Sequence, residues 1–180
     1  TEAGGHTGKI ATMPLVPQIV DAVKPVPVVA AGGIGDGRGI AASFALGAEG
    51  VWIGTAFLAS TESGIYEGQQ DSIISGHSGE FEISRSYTGK TARQFCNPIV
   101  EAWENSGLTP LPMPLQGILM SKFGAAAERS GRHDLVFTPS GQVSGLIKES
   151  RPAADIMEDL VSTTVACLEG IKDRVSISRL

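Results

Sequence analysis

Two short apolar runs limit what this chain can fold into. Residues 26–31 (VPVVAA) and 51–54 (VWIG) start about 25 residues apart, and neither alternates polar and apolar side chains. Runs of this kind mark strands buried on both faces of a parallel sheet. Glycine-rich sequence follows the first run at 32–39 and closes the second at Gly54. Between the runs, Asp36 is placed to cap a helix carrying Ile40, Phe44 and Ala45, and Gly47 suits its C-terminal end. Strand, glycine turn, helix and strand at this spacing predict βα units, a parallel sheet and an α/β fold.

The flanking sequence extends the pattern. Thr12, Pro14, Leu15, Val16, Ile19, Val20 and Val23 predict a capped amphipathic helix with proline in its first turn and Pro25 beyond its end. A further helix is expected around 66–75 and a weak third strand at 81–86. Residues 109–114 (TPLPMP) form a proline-rich connector, and only helices are expected after it. The strongest covers 152–171, where Ile156, Met157, Leu160, Val161, Thr164, Leu168 and Ile171 recur at helical spacing. Asp155, Glu158 and Asp159 lie early in it and Lys172 and Arg174 late, as the helix dipole favours.

Charge divides the chain the same way. Residues 1–60 hold only 7 of its 33 charged residues. The first third therefore reads as buried and ligand-facing, and the boundaries expected are residues 1–107 and 108–180. A complete eight-fold βα barrel needs about 200–250 residues, more than the 180 present. The net charge of −5 and the lack of a basic run argue against a nucleic-acid footprint. No apolar run reaches the roughly 18 residues of a membrane span. Cys96 and Cys167 form no motif and read as reduced thiols of a cytoplasmic protein.

The glycines point to chemistry. In parallel α/β folds ligands sit at the carboxyl ends of the strands. Gly32, Gly33 and Gly35 end one predicted strand, Gly54 and Thr55 the other, and Gly4-Gly5 precedes His6. Such turns either only bend the chain or bring backbone N–H groups against an anion. Two on successive strands, with a Gly-Gly-His, favour a phosphate cradle. A dinucleotide fingerprint starting at Gly33 fails at Arg38, and one starting at Gly32 fails at Ile34. A P-loop ending in Gly89-Lys90-Thr91 fails at Ser84. His6, beside Gly4-Gly5, reads either as a structural or surface histidine or as a general base near neutral pH. His77 and His133 are expected to be solvated, and no His/Cys/Asp cluster has metal-ligand spacing.

Three motifs in order carry a resemblance. Glu2-Ala3-Gly4-Gly5-His6-Thr7-Gly8, Ala30-Ala31-Gly32-Gly33-Ile34-Gly35-Asp36-Gly37-Arg38-Gly39 and Gly54-Thr55-Ala56-Phe57 are similar to the nitronate monooxygenase (2-nitropropane dioxygenase) family. The likeness continues through Thr88-Gly89-Lys90-Thr91-Ala92-Arg93, Asn97 and Gly141-Gln142. It implies the C-terminal portion of a TIM (β/α)8 barrel with an added small helical domain. Residues 26–31, 51–54 and 81–86 would be the sixth, seventh and eighth barrel strands. It implies FMN held by Ala3, Gly4, Gly5, Gly32, Gly33, Trp52, Ile53, Gly54 and Thr55, chiefly through backbone groups, with His6 as the catalytic histidine. Trp52 stands where many relatives carry Gln.

The resemblance implies oxidation of a nitroalkane or nitronate by O2 to a carbonyl compound and nitrite. It also implies that the first half of the barrel precedes this sequence in a longer polypeptide. Three alternatives stay open: a flavin-dependent enoyl-acyl-carrier reductase, an NADH:quinone reductase, and a non-catalytic fragment or partner-binding subunit. Half a barrel leaves open sheet edges, so it calls for the missing half or allows a homodimer.

Overall fold

The computed structural model describes residues 2–174. Its elements in chain order are β1 (Gly5–His6), α1 (Thr12–Val23), β2 (Val29–Ala31), α2 (Gly37–Ala45), β3 (Gly50–Trp52), α3 (Thr55–Leu58), α4 (Glu67–Ser75), β4 (Phe81–Ser84), β5 (Ala92–Phe95), α5 (Pro98–Asn105), α6 (Leu115–Arg129) and α7 (Ala153–Arg174). Short 3-10 turns lie at Ser78–Glu80, His133–Leu135 and Gln142–Leu146.

The βα unit expected from the apolar runs is present. β2 and β3 pair in parallel, Val29 with Gly50, Ala30 with Val51 and Ala31 with Trp52. α2 makes the crossover. The Asp36 carboxylate accepts from the Arg38 and Gly39 N–H groups at 3.0 and 3.1 Å, satisfying donors that the helix leaves unpaired. At the other end Gly47 adopts φ +96°, where a side chain would be strained, and donates its N–H to the Phe44 carbonyl. Val16, Ala30, Ile34, Ile40, Ala48 and Leu160 form the core beneath this unit. α7 packs along α2 and contributes Leu160 and the buried Thr164.

Several expectations need correction. β2 is shorter than residues 26–31 and is buried on one face only: Ala30 is 2% exposed but Val29 is 57% exposed. The parallel sheet has only β2 and β3 among the described residues, so nothing described covers the Val29 side. β4 is not a neighbour of that sheet. It joins an antiparallel sheet of order β1-β5-β4, because the chain turns straight back at 85–91 into β5 instead of crossing over. Phe81 and Phe95 face each other across this pair, their rings 5.5 Å apart edge to face. α1 starts after Ala11, which supplies no side-chain cap. The Thr12 hydroxyl instead donates to the Gly32 carbonyl at 2.8 Å.

The region after the proline connector is not all helix. Between α6 and α7 the chain carries only short 3-10 turns, and it threads through buried polar contacts. The Tyr87 hydroxyl donates to the Leu135 carbonyl at 2.7 Å, and burial pushes its pKa up to about 12. Gln69 donates to the Phe137 carbonyl at 2.9 Å. His133 is half-buried and stacked on Tyr66, with ring centroids 4.1 Å apart, instead of solvated. The side chain of Lys172, expected to complete the charge pattern of α7, lies outside the described residues. No helix among the described residues is long and apolar enough to cross a membrane.

The cap on α2 gives a measurable expectation. Burial alone would raise the Asp36 pKa, but the Arg38 guanidinium and the capped N–H groups outweigh it and hold the carboxyl below the usual carboxylate range. Ionised Asp36 therefore stabilises the fold above its unfolded pKa of about 3.9, and that contribution is lost as pH falls through the lowered folded value. In the full-length protein Asp36→Ala should cost about 1 kcal/mol in urea unfolding at pH 7. The difference from wild type should shrink on acidification below that range.

Candidate active site

Three loops distant in sequence meet at the ends of β2 and β3. Residues 2–5 lie between the turn at 31–34 and the loop at 139–143. The Gln142 N–H donates to the Glu2 carbonyl at 3.1 Å, and the Gly141 N–H donates to the Thr55 hydroxyl at 3.1 Å. Together they enclose a cleft of about 390 Å³. That volume lies within the range of cofactor and small-molecule sites, roughly 300–1,000 Å³.

Eight of the nine residues expected to hold a cofactor line this cleft: Ala3, Gly4, Gly5, Gly32, Gly33, Trp52, Gly54 and Thr55. Ile53 does not; it packs against the core under β2. Alternation along an extended chain explains the split, since Trp52 and Ile53 must face opposite ways. Trp52 is 74% exposed. Pro139, Val143 and Leu58 also line the cleft and were not anticipated. The Gly141-Gln142 pair in the motif was the available signal for the 139–143 loop.

The glycines do two different jobs. A Cβ on Gly4 would lie 2.7 Å from the Ser140 backbone, and one on Gly32 would lie 2.7 Å from the Ala3 Cβ. These positions let loops touch each other. A Cβ on Gly54 would meet nothing within 4 Å, so here the missing side chain leaves room in the cleft itself. The first N–H groups of α3 follow directly, and the Gly54 carbonyl already accepts from Phe57 and Leu58. By helix geometry the N–H groups of Thr55 and Ala56 have no acceptor within the helix. The Ser140 hydroxyl, beside the cleft residue Pro139, is fully buried and has no hydrogen-bond partner.

His6 stands on a neighbouring cavity of about 320 Å³. The two cavities share Ala3 and Ala31. His6 sits in β1, where it pairs with Ala92 of β5. Its ring is exposed, and its Nε2 lies 3.0 Å from the Thr88 hydroxyl. Lys9, Thr12 and Leu15 line the same cavity. Cys96 and Cys167 are free thiols.

An α/β chain with a glycine-lined cleft at its strand ends and an imidazole beside it has the layout of a cofactor-dependent enzyme site. The family model of nitronate monooxygenase matches residues 1–163, and the chain belongs to that family. A Mycobacterium tuberculosis protein, named only provisionally as a monooxygenase, is 42% identical over 97% of this chain and 49% of its own length. A Staphylococcus aureus (strain Newman) protein named as a probable nitronate monooxygenase is 40% identical over 90% of this chain and 48% of its own length. Among solved structures, nitroalkane oxidase from Streptomyces ansochromogenes superposes with a TM-score of 0.85 at 31% identity, over 95% of this chain and 51% of that one. FabK from Thermotoga maritima gives 0.80 at 32% identity, over 97% and 55%. The chain thus spans about half the length of the relatives it matches.

The two kinds of glycine should separate in unfolding experiments on the full-length protein. Gly4→Ala forces a methyl into the Ser140 backbone and should cost about 1–3 kcal/mol. Gly54→Ala should change stability by no more than about 0.5 kcal/mol.

Proposed function

We propose that this chain carries the cofactor-binding and proton-abstracting part of a nitronate monooxygenase, which uses FMN and O2 to turn nitroalkanes or alkyl nitronates into a carbonyl compound and nitrite. The observation that carries the reading is the convergence of eight expected cofactor residues on one cleft, with His6 on the adjoining cavity. The residues suit a flavin phosphate and ring. Gly54 leaves the space, the first N–H groups of α3 offer hydrogen bonds, and Trp52 offers an aromatic surface. When bound, the flavin supplies the two-electron chemistry.

The chain's own part is proton transfer and orientation. His6 takes the proton from the carbon that bears the nitro group. The C–H bond breaks, its electron pair becomes the C=N bond of the nitronate, and the proton ends on the imidazole. General-base catalysis of this kind is worth about 10²–10⁴-fold. On this reading β2 and β3 are adjacent strands of a barrel completed elsewhere in the full-length protein. Residues 1–107 contribute to that barrel and residues 108–180 to its helical side, with α7 returning to α2. A second reading, an enoyl reductase on the same scaffold, draws on the similarity to FabK. NADH oxidation with an enoyl thioester, compared with nitronate oxidation under O2, separates the two.

His6→Asn in the full-length protein should lower kcat/KM for a neutral nitroalkane by about 10²–10⁴-fold while a preformed nitronate still reacts. Undiminished nitroalkane turnover by that variant would remove His6 from the chemistry. Titration calorimetry with FMN tests the cleft. Gly54→Leu places side-chain volume there, and an overpacking cost of about 1–3 kcal/mol should weaken FMN by about five-fold to a hundred-fold.

A further inference from the structure

We propose that Thr88 is a positioning residue for His6: its hydroxyl holds the ring in the tautomer that leaves Nδ1 as the base. The proposal rests on the reading of His6 as the proton acceptor and adds to it the atom that accepts.

The argument is a count of hydrogen-bonding capacity. A threonine hydroxyl has one proton to give and two lone pairs to receive. The Thr88 hydroxyl donates to the Lys90 carbonyl at 2.9 Å, an atom that can only accept. It receives the Lys90 N–H at 3.3 Å. One lone pair remains, and His6 Nε2 lies 3.0 Å away. With the hydroxyl proton on the Lys90 carbonyl, Nε2 is the donor. In the neutral ring one nitrogen carries the proton and the other the lone pair, so the lone pair is on Nδ1. Nδ1 makes no hydrogen bond among the described residues. When Nδ1 takes a proton, Nε2 keeps its own, so the bond to Thr88 survives the whole cycle.

Both partners are held independently of each other. His6 is fixed by strand pairing, and the next residue, Thr7, donates its N–H to the Thr91 carbonyl at 3.1 Å. Thr88 sits in the turn between β4 and β5. Gly89 beside it has φ +80°, and a Cβ there would strike the backbone of residues 111–113. Arg85 closes the turn, its Nε donating to the Gly89 carbonyl at 2.9 Å. Gln116, fully buried, donates to the Ser86 carbonyl and accepts from the Leu111 N–H at 3.0 Å. A base oriented by a partner that is itself rigid loses little freedom on reaction.

The test uses the full-length protein loaded with FMN, with ring nitrogens read by ¹⁵N NMR and the His6 signals assigned through His6→Asn. Wild type and Thr88→Ser should show the Nε2–H form alone. Thr88→Val should populate both neutral forms and lower nitroalkane kcat/KM by about ten-fold, less than the roughly 10²–10⁴-fold of losing the base itself. Its turnover of a preformed nitronate should stay within two-fold of wild type. If Thr88→Val fails to bind FMN, Thr88→Ala takes its place. A ring that keeps the Nε2–H form alone in the hydroxyl-free variant, with nitroalkane turnover unchanged, overturns the proposal. If wild type oxidises neither substrate, the functional reading falls, and the tautomer populations still decide the role of Thr88.

Discussion

The clamp on residues 2–5 is the contact on which the rest of the site depends. This segment has the turn at 31–34 on one side and the loop at 139–142 on the other, at distances that leave no room for Cβ atoms at Gly4, Gly32 or Gly141. Backbone meets backbone there, and the Glu2 carbonyl receives the Gln142 N–H. Protein interiors are packed densely enough that one added methyl at such a point must displace a whole loop. The cleft exists because three segments far apart in the chain are brought together without side chains between them. Its walls combine glycine and alanine backbone with the side chains of Ile34, Trp52, Leu58, Pro139 and Val143. Backbone donors in rigid loops can hold a ligand's polar groups at little entropic cost.

What the sequence revealed follows from how local each signal was. The cap at Asp36, the turn at Gly47 and the parallel strands around them were legible because capping, left-handed turns and apolar runs act over a few residues. The segments that line the cleft were legible only because three glycine motifs recur in one order. The glycines also serve contacts that a sequence does not display. Gly4 and Gly32 admit neighbouring loops, while Gly54 opens toward the cleft, and a sequence does not show which atoms lie opposite a missing Cβ. The antiparallel partner of β4 was missed for a related reason. Residues 92–95 (ARQF) are three-quarters buried in the fold, yet Arg93 and Gln94 read as polar, solvent-facing positions. Arg93 is buried with its guanidinium on the Phe81 carbonyl, a partner twelve residues away in sequence and invisible to any local pattern.

The site is also split between two sheets. The glycine turns end strands of the parallel pair, whereas His6 belongs to the antiparallel sheet with β4 and β5. The short stretch from Ala3 to His6 links them, and Ala3 and Ala31 border both cavities. In an extended strand successive side chains point to opposite faces, so a register shift of one residue between β1 and β5 would turn the imidazole away. The pairing of Gly5 with Arg93 and His6 with Ala92 fixes that register. The same register brings the imidazole to the turn that carries Thr88. His6 is thus held by strand pairing directly after the segment that lines the cleft. For that reason the Gly-Gly-His sequence is short: each residue inserted between the clamp and the histidine would change both which face the ring occupies and how far it stands from the cleft.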